Sequence, residues 1–462
     1  MSVKLKDDVA FKSATELASH IRQKDFSSRD LLELYISRIE RFNSTLNAVV
    51  TTNFDQARAQ ADSADVQVVA GKTLGPLHGL PITVKDALET EGIQSTGGAR
   101  ELLGNIPNRD APAVRAVKDA GAIVIAKTNL PRWSGDLQTF NDIFGTTNNP
   151  WDIDRVPGGS SGGAAAAVAA GLTAFEIGTD IGGSIRYPSS FCGVFGHKPS
   201  FGIVPSRGYL DHEFGGLNEA DVNVVGPIAR SAEDLEMLLN IMRRREAGLQ
   251  ASLEPAPTGF EQARVAVWFK DDFCPLERKV LQVMEAAVAR LQDSGVRIFH
   301  DAKPDLDPEE AFGIGSALVY AAVSQSQPMS SMQNGLSHRA WLDLNSKRER
   351  IRTAWAAFFQ EYDAVLMPIS PVSPFRHNQD GNWQTRTLIS EGDRRPYGDL
   401  LRWTILTGMA YLPSTTPPIG LDEDGLPVSF QIVGRYGGDL TTIRLAQHLA
   451  RLGAGYQRPP LQ

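Results

Sequence analysis

Cysteine is scarce, with Cys192 and Cys274 the only two in 462 residues. Two thiols cannot build the disulfide framework of a small secreted domain or a cysteine-based metal site. The eight histidines show no HExxH and no paired His/Cys spacing, so no metal is expected. Long hydrophobic runs are also missing. The longest, Ala164 to Phe175, holds Gly171 and Thr173 and is about a dozen residues, too short to cross a bilayer. Met1 to Lys12 mix Lys, Asp and Val without an apolar centre, and no signal peptide is expected there. Basic charge is not in excess either: 46 Lys and Arg stand against 54 Asp and Glu, a net −8. A phosphate-backbone binder needs a clustered basic surface, and the one short run, Arg243-Arg244-Arg245, reads as a solvated helix end. The expectation is a soluble, cytoplasmic protein with no nucleic-acid or membrane partner.

What is present is ordinary globular composition with many turns. Hydrophobic residues make up 42%, with 42 Gly and 27 Pro, which falls short of a disordered or collagenous bias. Residues 13 to 66 read as helical. Ser28 is a candidate cap for a helix whose Leu31, Leu32, Tyr35, Ile36, Ile39 and Phe42 share one side, a core stripe without catalytic meaning. From about residue 79 short apolar strands appear, Pro81-Ile82-Thr83-Val84 and Ala122 to Ala126, with a helix over Ala111 to Ala120 between them. Strand, helix, strand is the grammar of a mostly parallel sheet. Further strands are predicted at 174–178, 264–269, 296–300, 364–367 and 428–433. Helices are predicted at 231–244, 277–293 and 440–452, with a long helical region over 309–362. No repeat and no polar linker divides the chain, so one large α/β domain over 1–462 is expected, with 304–400 as a variable cap.

Three segments carry chemistry. In the first, the strand ends in Val84-Lys85-Asp86, and burying an ammonium is costly unless it is paired or neutral. Either the strand reaches the surface and Lys85 pairs with Asp86, or desolvation lowers the lysine pKa and leaves a free amine able to accept a proton. Neighbours in a strand point to opposite faces, so Asp86 is expected to turn away.

The second segment is Gly158-Gly159-Ser160-Ser161-Gly162-Gly163, running into an Ala-rich helix. A flexible hinge is one reading, although a linker does not normally enter a buried helix. Gly158 to Gly162 also satisfies G-x-S-x-G, yet the preceding Asn149 to Pro157 lacks the strand that a nucleophile elbow requires. A phosphate loop fails as well, because Gly163-Ala164-Ala165 lacks the Lys-Ser/Thr ending.

The third segment is Gly178-Thr179-Asp180-Ile181-Gly182-Gly183-Ser184-Ile185-Arg186. It is either an ordinary Gly-Gly turn or a loop that points several N–H groups at one spot, as an oxyanion hole does.

Together these segments resemble the central block of the amidase signature family of serine hydrolases. Phe191-Cys192-Gly193 and Gly196-His197-Lys198-Pro199 extend the match, as do Ser37 to Glu40, Asn47 to Val49, Gly425 to Val428 and Gln431 to Gly434. The similarity covers most of the chain and is weakest over 304–400. It implies a central mixed, mostly parallel sheet covered by helices on both faces. It also implies a triad of Lys85, Ser160 (preceded by a cis peptide) and the nucleophile Ser184, without a cofactor. In that scheme Ser184 attacks a carbonyl, Ser160 relays the proton, and Lys85 takes it and returns it to the leaving amine. The N–H groups of Ile181, Gly182, Gly183 and Ser184 would hold the oxyanion. Ser161 and Asp180 are expected to hydrogen-bond around the relay, and Arg186 to anchor the loop. Cys192 and His197 are read as structural.

The resemblance implies a monomer or homodimer cleaving a small-molecule amide, carbamate (urethane), anilide or ester. Ala317 to Tyr320, Trp341, Trp383 and Trp403 stand as pocket or core residues alike. Two other readings stay open. One is the amidase-like subunit of a tRNA-dependent amidotransferase, which works with partner subunits. The other is a non-catalytic anion-binding protein.

Overall fold

A computed structural model describes residues 5–72, 74–213, 215–244, 253–257, 259–324 and 336–461. Near the N-terminus, Ser13 and Ser27 each close a capping box, with Glu16 and Asp30, ahead of helices Ala14–Gln23 and Ser28–Leu46. A side-chain oxygen there satisfies an N–H that the first turn leaves free. The cap is therefore Ser27, one residue before the expected Ser28, and the whole stripe from Leu31 to Phe42 is buried. The stretch 13–66 is not all helix. Val49–Thr52, a β-branched run suited to a sheet, is a strand ahead of the helix Phe54–Val69.

That strand lies antiparallel to Ile123–Thr128, which in turn runs parallel to Pro81–Lys85. The helix Pro112–Asp119 makes the crossover between the two parallel strands. This small sheet abuts the edge of a larger one: Ala174 N donates to Pro81 O at 3.3 Å, and Thr83 N donates to Thr173 Oγ1 at 2.9 Å.

Among the described residues the larger sheet has nine strands. Their order is Arg297–His300, Arg264–Val267, Ala364–Pro368, Pro427–Val433, Ser414–Thr416, Phe195–Lys198, Val224–Ala229 and Glu176–Asp180, with Pro418–Leu421 beside Pro427–Val433. The α/β class and the mixed sheet agree with expectation, but the sheet is not mostly parallel. Its parallel pairings are those of Arg264–Val267 with Arg297–His300 and with Ala364–Pro368. The others are antiparallel. Short connections account for this around 414–433, because a strand that turns straight back must pair antiparallel, whereas a helical crossover restores direction.

Alternation along the strands gives the sheet its two faces. Val428, Phe430 and Ile432 join one core with Leu235, Met284 and Ile443, from the helices Ala232–Met242, Arg278–Asp293 and Asp439–Arg451. Val433 joins the opposite core with Trp403, Leu406 and Trp355, from the helices Arg402–Gly408 and His338–Phe358. The expected cap region 304–400 is thus not peripheral throughout, because Ala364–Pro368 lies in the middle of the sheet. Among the described residues no helix is long and apolar enough to cross a membrane.

Candidate active site

Three loops meet where Pro81–Lys85 and Glu176–Asp180 end. Lys85 closes a strand whose five residues are all buried. Its Nζ donates to Ser160 Oγ and to Thr179 Oγ1, both at 2.7 Å. Asp86 turns away, as alternation predicts, and its Oδ2 accepts from Thr96 N at 3.1 Å and from the Thr96 hydroxyl. Burial is the largest influence on the Lys85 amine and lowers its pKa to about 7, against the upward pull of Asp180 and Glu176. The surface reading of Lys85 is thereby set aside.

Ser160 follows a cis Gly159–Ser160 peptide at the head of the buried Ala-rich helix Gly162–Ala169. Ser161 stitches the neighbouring loops together. Its N donates to Ser184 O at 3.2 Å, its Oγ donates to Thr179 O at 3.3 Å, and Thr179 N donates back to that Oγ at 3.3 Å. Lys85 and Ser160 are fully buried, whereas Ser184 is 5% exposed.

Asp180 organises the turn that carries Ser184. Its Oδ1 accepts from Gly183 N at 2.8 Å and its Oδ2 from Ile185 N at 3.1 Å. Arg186 grips the same carboxylate through Nε at 3.0 Å and Nη2 at 2.9 Å. Burial alone would raise the Asp180 pKa, but the charge and hydrogen bonds of Arg186, with Lys198 behind, hold it at about 2. Arg186 Nη1 continues to Thr404 O at 2.9 Å, Thr407 Oγ1 at 2.9 Å and Gln431 Oε1 at 3.1 Å, which fastens the turn to the helix Arg402–Gly408 and the strand Pro427–Val433.

The Gly183 N–H is thus engaged by Asp180 and departs from the expected set of donors. Among the described residues, the N–H groups of Ile181, Gly182 and Ser184 meet no protein acceptor. Gly183 has φ +123°, and a Cβ there would sit 2.7 Å from Tyr187 Cδ2. A side chain cannot follow that path.

Thr179 is the functional candidate that the sequence reading missed. Its place beside Asp180 in an extended run, on the face opposite that carboxylate, was the available signal. Among the described residues two further lysines are also buried, and the sequence reading gave them no role. Lys127 Nζ donates to Leu88 O at 2.6 Å, Thr90 Oγ1 at 2.8 Å and Ser95 Oγ at 3.1 Å, and burial lowers its pKa to about 8. Lys198, lowered by burial to about 7, donates to Pro199 O at 3.1 Å.

His197 bridges Thr415 Oγ1 at 2.8 Å and Asp439 Oδ1 at 3.1 Å inside the sheet. Cys192 is buried, and desolvation carries its thiol pKa well above the ordinary range. Trp403 and Leu318 lie in the core, while Tyr320 is exposed. No group of three or more His, Cys, Asp or Glu among the described residues could hold a metal.

The sequence model of the family described as Amidase matches residues 30–327 and 321–443. An indoleacetamide hydrolase from Bradyrhizobium diazoefficiens is 32% identical over 456 residues, covering 93% of this chain and 84% of its own. A glutamyl-tRNA(Gln) amidotransferase subunit from Moorella thermoacetica is 29% identical, covering 98% of this chain and 99% of its own. The solved structure of a bacterial aryl acylamidase of the amidase signature family superposes with a TM-score of 0.83 at 25% identity, covering 96% of this chain and 97% of that one. On a family match spanning most of its length and relatives aligned nearly end to end, the chain belongs to the amidase (amidase signature) family, enzymes of amide carbon–nitrogen bond hydrolysis.

Proposed function

We propose that this protein is a free-standing hydrolase of small-molecule amides, working through an acyl-enzyme on Ser184 with Ser160 as proton relay and Lys85 as base. The observation that carries this reading is the fully buried Lys85 amine, 2.7 Å from Ser160 Oγ. A neutral amine offers a lone pair to the Ser160 hydroxyl proton. Ser160 can then take the proton of Ser184 as that oxygen attacks the carbonyl carbon. The tetrahedral oxyanion forms against the free N–H groups of Ile181, Gly182 and Ser184, donors of a kind typically worth about 3 kcal/mol each. The proton held on Lys85 returns through Ser160 to the leaving nitrogen as the carbon–nitrogen bond breaks. Water repeats the route to free the acid. Carbamates and esters present the same carbonyl and are candidate substrates too.

Near-complete alignment with the amidotransferase relative supports a second reading, in which the chain releases ammonia within a larger complex. One assay separates the two. The isolated chain is offered aliphatic amides, para-nitroanilides, carbamates and esters without tRNA or ATP. Turnover of small amides, lost in Ser184→Ala and Lys85→Ala, supports the free-standing hydrolase. Turnover of glutamine alone, rising on addition of partner subunits, supports the second reading. Labelling of Ser184 by a fluorophosphonate would exclude a purely anion-binding role.

A further inference from the structure

The strap of residues 136–139 lies directly on the loop that carries Ser160. Thr139 Oγ1 donates to Gly158 O at 2.9 Å, and Gly162 N donates to Thr139 Oγ1 at 3.2 Å, so one hydroxyl holds both flanks of the serine. Between those flanks, a Cβ on Gly159 would sit 2.7 Å from Leu137 C and 2.8 Å from Asp136 O and Gln138 N. The strap and the serine loop are in backbone contact that no side chain could enter.

The strap is itself clasped by the segment 378–397, which includes the hairpin Thr387–Ser390 and Asp393–Pro396. The Asp136 carboxylate accepts from Tyr397 OH at 2.7 Å and from Arg386 Nη1. All three side chains are buried. Gln138 and Asn378 exchange hydrogen bonds, Gln138 Nε2 to Asn378 O at 2.6 Å and Asn378 N to Gln138 Oε1 at 2.9 Å. Trp383 Nε1 donates to Gly135 O at 2.9 Å. A buried ion pair needs well-placed hydrogen bonds to offset its desolvation, and here Tyr397 supplies one.

We propose that Asp136 is a positioning residue for the relay: clasped by Arg386 and Tyr397, it fixes the strap that sets Ser160 against Lys85. The segment 378–397 then helps to hold the relay in place rather than only walling a pocket. This rests on the Ser184–Ser160–Lys85 reading. Misplacement by about 1 Å can cost about a hundredfold in rate, so a loosened strap acts on proton transfer before it acts on binding.

The test compares Asp136→Asn, Arg386→Lys and Tyr397→Phe with the native enzyme, on a para-nitroanilide and a para-nitrophenyl ester of one acyl group. An anilide nitrogen must be protonated to leave, whereas para-nitrophenolate departs unprotonated. Expected is a fall in kcat for the anilide of about tenfold or more in Asp136→Asn, a KM within about twofold, and a smaller fall for the ester. Tyr397→Phe keeps the ring and the Arg386 pair, so it serves if Asp136→Asn does not fold. Its anilide kcat should fall severalfold. Equal losses on both substrates, a raised KM at constant kcat, or no change would each overturn the proposal. Ser184→Ala, assayed alongside, separates the readings, because activity surviving in that variant strikes the acyl-enzyme scheme itself.

Discussion

Lys85 Nζ and Ser160 Oγ stand 2.7 Å apart in the interior, with Thr179 Oγ1 as the amine's other partner. Among the described residues no carboxylate forms an ion pair with this lysine. Hydroxyl partners accommodate either protonation state of an amine, whereas a carboxylate would hold it charged.

The pH profile follows from that arrangement. In the proposed scheme the base, Lys85, must be neutral, and burial places its pKa at about 7. The kcat/KM for an amide should therefore rise with pH and reach half its plateau near that value. A plateau extending unchanged to pH 5 would show that another group is the base.

Thr179 tunes the same limb. Its hydroxyl oxygen accepts from the amine, and accepting from a cation favours the charged form. Thr179→Val should lower the pKa of the limb and reduce kcat by about five- to tenfold, the worth of one hydrogen bond of about 1 kcal/mol. Thr179→Ser should restore both. Measured pH–rate profiles of the two variants check this.

Stability responds to pH in the same sense as activity, but over a higher range. In the unfolded chain Lys85 titrates at 10.5, in the folded protein at about 7. Between those values the unfolded state binds the extra proton, so this group's contribution to stability improves as pH rises and its penalty is complete at and below about 7. Each unit of depression costs about 1.4 kcal/mol. Lys85→Met should thus be inactive yet more thermostable, and its Tm advantage should shrink as pH climbs from 7 to 10. Melting curves across that range decide it.

The Asp180–Arg186 pair predicts the reverse effect. Removing one partner of a buried pair strands the other charge, a loss of about 3–5 kcal/mol. Arg186→Gln should lower Tm sharply and reduce turnover, since the same carboxylate holds Gly183 N and Ile185 N. Asp180 is depressed to about 2 from 3.8. Its stabilisation is present above about 4 and fades as pH falls through about 2, so the native protein should resist acid unfolding further into this window than the variant does.

Much of the fold was legible where local pattern and burial agree. The stripe from Leu31 to Phe42, the Pro81–Lys85 strand and the crossover helix Pro112–Asp119 all follow from spacing. The strands Phe195–Lys198 and Val224–Ala229 were not, because Gly196, Gly226 and Pro227 break the β signal and only their neighbours make them strands. The same limit explains the sheet's direction, which depends on connections across the fold. In the site, Lys85 drew notice as a charge in an apolar strand and the serines through their glycines. Thr179 offered only its alternation with Asp180 along the strand, a weak sign, since a threonine in a strand is commonplace until its partner is seen. The engagement of Gly183 N by Asp180 is likewise invisible until the turn is folded.

The central position of Ala364–Pro368 bears on how this enzyme can be engineered. A chimera that transplants 304–400 wholesale from another amidase replaces a strand flanked on both sides, and its grafted edges must match Arg264–Val267 and Pro427–Val433 at once. Exchanging 308–358 alone, with residues 364–397 left native, keeps both the strand Ala364–Pro368 and the clasp on Asp136 while altering what surrounds them.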